Sequence, residues 1–235
     1  MIKRMMNLWR KWCAMRHHRH EQMENRQAIE TPVEIAIETS EKTTGNKLSV
    51  KLEKFLTTHY EFRYNVLTEQ AEVRMKGKKK FRPVNQRVAN TLCLAAQEEG
   101  IACWDKDVMR YLNSERLPDF HPLLAYMAEL PEWDGIDRVT PLAERISTQE
   151  IWMKGFRRWM LGVAAQWSGQ MNRCANSLAP MLISTCQGMG KSTFCRQLMP
   201  DSLADYYTDS FDLNSQGACE QKLSLFGLIN LDEHD

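Results

Sequence analysis

The chain has 235 residues, of which 43% are hydrophobic and 26% charged, with a formal net charge of +1. This is the balance of a soluble globular protein with enough chain to bury one or two cores, and near-neutrality means that only local charge clusters select a partner. No apolar run reaches the ~18 residues of a membrane span, and the charged N-terminus leads into no apolar signal segment. The seven cysteines, at 13, 93, 103, 174, 186, 195 and 219, form no CxxC pair. They are expected to be reduced thiols of a cytoplasmic protein rather than a disulfide frame or a zinc site.

Residues 1–20 carry six Lys or Arg, three His and no acid. Met5, Leu8, Trp9, Trp12 and Met15 recur at helical spacing. The segment reads either as a basic amphipathic helix for nucleic acid or a membrane surface, or as a solvated tail. Cys13, His17, His18 and His20 lack the spacing of a structural zinc site. Residues 21–45 are polar and linker-like, with one short alternation from Val33 to Glu38 that suits an edge strand.

A small α/β module is expected over 46–117. Leu48, Leu52, Phe55, Leu56 and His59 mark one face of a helix, and "YEFRYNV" and "AEVRM" read as a strand pair around "LTEQ". Helices follow at about Asn85–Glu98 and Asp105–Leu112. Arg74, Lys76, Lys78, Lys79, Lys80 and Arg82 put six basic residues into nine positions, with Phe81 among them. That turn reads either as a DNA contact, with lysines on phosphates and Phe81 on a base, or as a charged loop that discourages edge pairing.

From 118 to 178 the chain is expected to be mainly helical. "PEWDGIDRV" is a turn-rich joint. Trp152, Phe156, Trp159, Met160, Val163 and Trp167 then form the apolar stripe of a core helix, with Arg157 and Arg158 on another face.

Residues 179–235 hold the chemistry. "MLIS" reads as a short buried parallel strand, "TCQGMGKST" as a loop, and the residues from Lys191 as a helix. That succession is the context of a P-loop. Gly188 and Gly190 allow close backbone approach to phosphates, with Gln187, Met189 and Thr193 completing the cradle. Lys191 reaches the β- and γ-phosphate oxygens of ATP, and the Ser192 hydroxyl ligates Mg²⁺. Thr185 stands where the motif usually has glycine, so it should keep φ below zero at a strand exit, with the chain curling only from Gln187. "LFGLINLDEHD" supplies the second half of the site: an apolar strand ending in Asp232 and Glu233, 41 positions after Lys191. Asp232 would hold the Mg²⁺ and Glu233 would orient or deprotonate the attacking water. Asn230 is an unexpected polar residue in that strand.

The joint, the Trp-rich helix, "ANSLAPMLISTCQGMGKSTFCRQLMP" and "GLINLDE" together resemble the virulence-associated protein E family, P-loop ATPases of phages and mobile genetic elements akin to primase-associated helicases. The resemblance runs over roughly Leu48 to Asp235. It implies an α/β chain in which an N-terminal α+β module and a helical region precede a partial RecA/AAA+-like core. It also implies DNA as partner, and a ring oligomer of the complete protein. It places the loop lysine and hydroxyl at Lys191 and Ser192 and the acidic pair at Asp232 and Glu233. A complete core would continue with further strands, a polar sensor and an arginine, so the 235 residues are expected to be either an N-terminal portion or a shortened gene product, with weakened nucleotide binding and poor hydrolysis of its own. The competing expectation is a non-catalytic DNA- or partner-binding protein with a vestigial nucleotide site. No acidic triad for primase chemistry is visible in residues 46–120.

Overall fold

The computed structural model describes residues 43–170, 176–211 and 216–231. The basic segment 1–20, the Val33–Glu38 alternation, and Asp232 and Glu233 lie outside the described residues. The chain is mixed α/β. Its contacts divide it into two compact units that meet in sequence at His121 and Pro122.

The first unit opens with α1 (Thr43–His59), which buries Leu52 and Leu56, one turn apart. β1 (Tyr60–Asn65) and β2 (Gln70–Met75) follow as an antiparallel pair, with Phe62 opposite Val73 and Tyr64 opposite Ala71. Because side chains alternate along a strand, these four face the helices, while Glu61, Arg63, Glu72 and Arg74 take the other face. Asn65 is fully buried at the strand end. Its Oδ1 accepts from the backbone N–H of Leu67 and of Thr68, and its Nδ2 donates to Glu72 Oε1 at 2.8 Å. A buried amide is thereby satisfied while it shapes the turn that ends at Glu69, the one described non-glycine residue at positive φ.

β3 (Arg82–Pro83) pairs with β2, and α2 (Gln86–Glu98) starts behind Asn85, whose Oδ1 accepts from the Val88 N–H at 3.0 Å. α3 (Asp105–Leu112) buries Val108 and Leu112. The sequence suggested a mainly helical chain from Pro118. Instead β4 (Asp119–Phe120) returns to pair in parallel with β1, giving the sheet order β3-β2-β1-β4. A two-residue edge strand carries no periodicity by which to find it.

The second unit contains α4 (Pro122–Glu129), α5 (Val139–Glu144), α6 (Glu150–Trp167), α7 (Lys191–Gln197), a 3₁₀ turn (Asp201–Tyr206), β5 (Tyr207–Thr208), α8 (Gln216–Leu225) and β6 (Leu228–Ile229). The helices expected over 118–178 and the loop-bearing segment after them therefore share one unit. β5 and β6 are parallel, in the register Tyr207↔Leu228 and Thr208↔Ile229. Among the described residues no helix is long and apolar enough to cross a membrane.

Candidate nucleotide site

The site is built on α6. Its apolar spacing puts Phe156, Trp159 and Trp167 in the interior. Phe156 packs between Trp152 and Trp159, with ring centroids 5.3 and 5.5 Å away. Phe194 of α7 joins that row, 6.2 Å from Phe156. Leu198, which caps the C-terminal end of α7, and Leu228 of β6 pack on the same cluster. The helix that follows the loop and the strand that leads to Asp232 and Glu233 thus rest on one core.

Two further contacts hold β6 in place. The Trp167 indole N–H donates to the Gly227 carbonyl at 3.2 Å. Gly227 itself is hemmed in: a Cβ there would lie 3.0 Å from Leu123 Cδ2. The segment before the loop is fixed by Asn176, which is buried beside Gly162 of α6. Its Nδ2 donates to the Trp159 carbonyl at 3.0 Å, and its Oδ1 accepts from the Leu178 N–H. Nothing in the sequence singled out Asn176 or Gly162.

The loop alternates in hand. Gly188 has φ +75° and Gly190 φ +80°, whereas Gln187, Met189 and Lys191 stay out of the left-handed region. Alternation of this kind turns successive N–H groups toward one concave side and makes an anion nest. The first helical hydrogen bond runs from Phe194 N–H to the Gly190 carbonyl at 2.9 Å. The positive end of α7 therefore lies at the nest. A Cβ at Gly188 or Gly190 would meet nothing within 4 Å. These two glycines are needed for their backbone angle, and the space beside them is open. Gln187, Met189 and Thr193 are exposed, and Lys191 and Ser192 are half-buried. Lys191 has no ion pair with a described residue.

Two expectations about the approach to the loop need correction. Met181–Ser184 is not a buried strand: it makes no ladder, and Met181 and Ile183 are 67% and 84% exposed. A central parallel strand needs a hydrogen-bonded neighbour on each side and cover on both faces, and among the described residues the small sheet of this unit pairs β5 with β6. Thr185 keeps φ out of the positive region, as expected, but the chain bends at Thr185 and Cys186 rather than first at Gln187. The Ser184 hydroxyl makes that early bend by accepting from the Cys186 N–H at 3.2 Å and donating to its carbonyl at 3.0 Å.

No protein-family model, curated protein or solved structure matches the chain. The functional reading therefore rests on the residues and their geometry.

Arg196 of α7 pairs with Asp209 at 2.5 Å, an ion pair that the sequence did not suggest. Asn230 has its backbone N–H on the Thr208 carbonyl at 2.8 Å, which extends the β5–β6 pairing by one bond. Its Nδ2 and the Tyr207 hydroxyl are both shielded from solvent, and neither closes a hydrogen bond of normal geometry. Burial, and then the Asp209 carboxylate, push the Tyr207 pKa up. An open groove lined by Glu150, Ile151, Lys154, Gly155, Arg158 and Leu178 lies on α6, and no loop residue lines it.

The six basic residues expected at DNA are all in the first unit. Arg74 is engaged: its guanidinium pairs with Glu61 and lies 4.4 Å from the centroid of Phe81. Lys76, Lys78, Lys79, Lys80 and Arg82 are exposed, and none pairs with a described carboxylate.

Proposed function

We propose that the chain is a P-loop ATPase of the virulence-associated protein E kind, built on a RecA/AAA+-like core and acting on DNA. The observation that carries the reading is the left-handed pair Gly188 and Gly190 at the start of α7, docked on the same aromatic core as the strand that runs toward Asp232 and Glu233. The glycine turn, the helix end and Lys191, which pairs with no described carboxylate, offer the chemistry that a triphosphate needs. The backbone N–H groups of Gln187–Thr193 would hold the phosphates, and Lys191 would neutralise the β- and γ-oxygens. Ser192 and Asp232 would hold Mg²⁺, which supplies charge neutralisation at the transferred phosphoryl. Glu233 would orient the attacking water.

The test is a titration with a fluorescent ATP analogue and Mg²⁺. Binding that weakens at least ~10-fold in Lys191→Ala supports the reading, because a charge-assisted contact to phosphate is lost. Binding indifferent to that substitution overturns it.

The exposure of Met181 and Ile183 supports a second reading, a DNA- or partner-binding protein with a vestigial nucleotide site. Its signature is DNA binding that ignores both ATP and Lys191→Ala.

A further inference from the structure

The basic hairpin of the first unit has a feature that its sequence does not show: its backbone is pinned while its lysines and Arg82 pair with no described carboxylate. The Lys76 N–H donates to the His59 carbonyl at 3.1 Å, and the Lys78 N–H donates to the Met75 carbonyl at 3.0 Å, closing the turn over Gly77 at φ +81°. Arg82 is held in register opposite Val73. Phe81 is clamped from the sheet: Arg63 and Arg74 place their guanidinium carbons 4.0 and 4.4 Å from its ring centroid. Arg63 also lies 3.4 Å from the centroid of Phe120, so it bridges the two edge strands.

The two arginines are balanced by the carboxylates of the same sheet face. Arg63 pairs with Glu72 at 2.6 Å and Arg74 with Glu61 at 2.5 Å. What remains is a row of five exposed cations, Lys76, Lys78, Lys79, Lys80 and Arg82, on a fixed backbone. Protection of a sheet edge does not require them. β3 is only two residues long and ends in Pro83, which already blocks strand addition.

We propose that this row is a docking surface for the phosphate backbone of nucleic acid. Lys76, Lys78, Lys79, Lys80 and Arg82 make the contacts, and Phe81 serves as their mount rather than as a base-stacking platform. A polyanion fits because the cations are clustered, pair with no described carboxylate, and stand on a backbone that hydrogen bonds hold at Lys76, Lys78 and Arg82, so little backbone ordering entropy is lost on binding. Such contacts position a strand and carry no base preference. The proposal deepens the DNA-directed reading above, and it stands apart from the nucleotide loop because every residue it uses lies before Pro122.

The test is fluorescence anisotropy of the full chain with a labelled mixed-sequence single strand and its duplex, across a salt series. The triple variant Lys78→Glu, Lys79→Glu, Lys80→Glu is expected to bind at least ~10-fold more weakly, with a log–log salt slope shallower by roughly 2 to 3, since about 0.7–0.9 unit is lost per phosphate contact. The Gln triple variant should show the same direction with its circular dichroism unchanged, which separates lost contact from lost fold. Both variants should keep ATP-analogue binding, and Lys191→Ala should keep DNA binding, so either proposal can fail without the other. Unchanged affinity and slope in the Glu variant would overturn the inference. So would binding to phosphatidylserine vesicles as tight as binding to the oligonucleotides.

Discussion

The indole N–H of Trp167, in the last turn of α6, donates to the carbonyl of Gly227, sixty residues on, at 3.2 Å. This bond ties the aromatic helix to the residue that opens β6. Trp167→Phe keeps an apolar ring beside Tyr126, and it removes the N–H donor together with part of the buried ring volume. It is expected to cost about 1–2 kcal/mol, because a partly buried carbonyl loses its partner. Urea unfolding of the two proteins measures the difference.

Gly190→Ala is expected to damage the loop through its backbone alone. No atom lies within 4 Å of the added Cβ, so packing is unaffected. Holding alanine at φ +80° costs roughly 1–2 kcal/mol. If the residue instead leaves that conformation, the alternation of hand that forms the nest is lost. The measurable outcome is weaker binding of an ATP analogue, with a melting temperature only slightly lowered.

Gly162→Ala acts by the opposite mechanism. Its Cβ would lie 2.5 Å from Asn176 Nδ2, inside any tolerable contact. Asn176 is 5% exposed, so it has little room to retreat, and its bond to the Trp159 carbonyl is expected to break. The cost should be about 1–3 kcal/mol, as for other overpacked interiors. Pairing Gly162→Ala with Asn176→Ala should recover part of it, and the double-mutant cycle reads the coupling.

Cys103 gives a pH signature. It is 1% exposed, and its Sγ–H points at the Cys93 carbonyl, 3.9 Å away. Burial first, and then the neighbouring Cys93, push its pKa from 9.0 up to about 11. The folded state holds the proton more tightly than the unfolded state. The stabilisation is therefore full below pH 9 and is lost as pH rises from 9 toward 11. Melting temperature against pH should fall more steeply over that window in the native protein than in Cys103→Ala.

The first unit was largely legible because its signals are local. Leu52 and Leu56 one turn apart, the alternation through Phe62 and Val73, and Asn85 before a helix all speak within a few residues. The Asp105–Leu112 helix emerges with the bounds the sequence suggests. The left-handed turns at Gly188 and Gly190 are legible for the same reason, since positive φ is a demand that glycine itself meets. What was not legible depends on partners distant in sequence. Met181–Ser184 looks like a strand by composition, but a strand exists only where neighbours complete its ladder. Asn176 beside Gly162, and Arg63 between Phe81 and Phe120, are likewise contacts that no spacing rule announces. One of the two sequence readings of the basic turn sets Phe81 on a base; the arginines that stack on its ring come from β1 and β2, which no local spacing announces.

The aromatic row under the loop has an optical consequence. Phe194 sits one turn into α7 and rests on Phe156, which touches both Trp152 and Trp159. Any small rotation of that helix on anion capture would change the surroundings of two indoles. Trp104 and Trp133, 67% and 80% exposed, would contribute a constant red-shifted background that a soluble quencher can remove. If the Gly188–Lys191 loop takes a nucleotide as proposed, capture would register in this emission without a label.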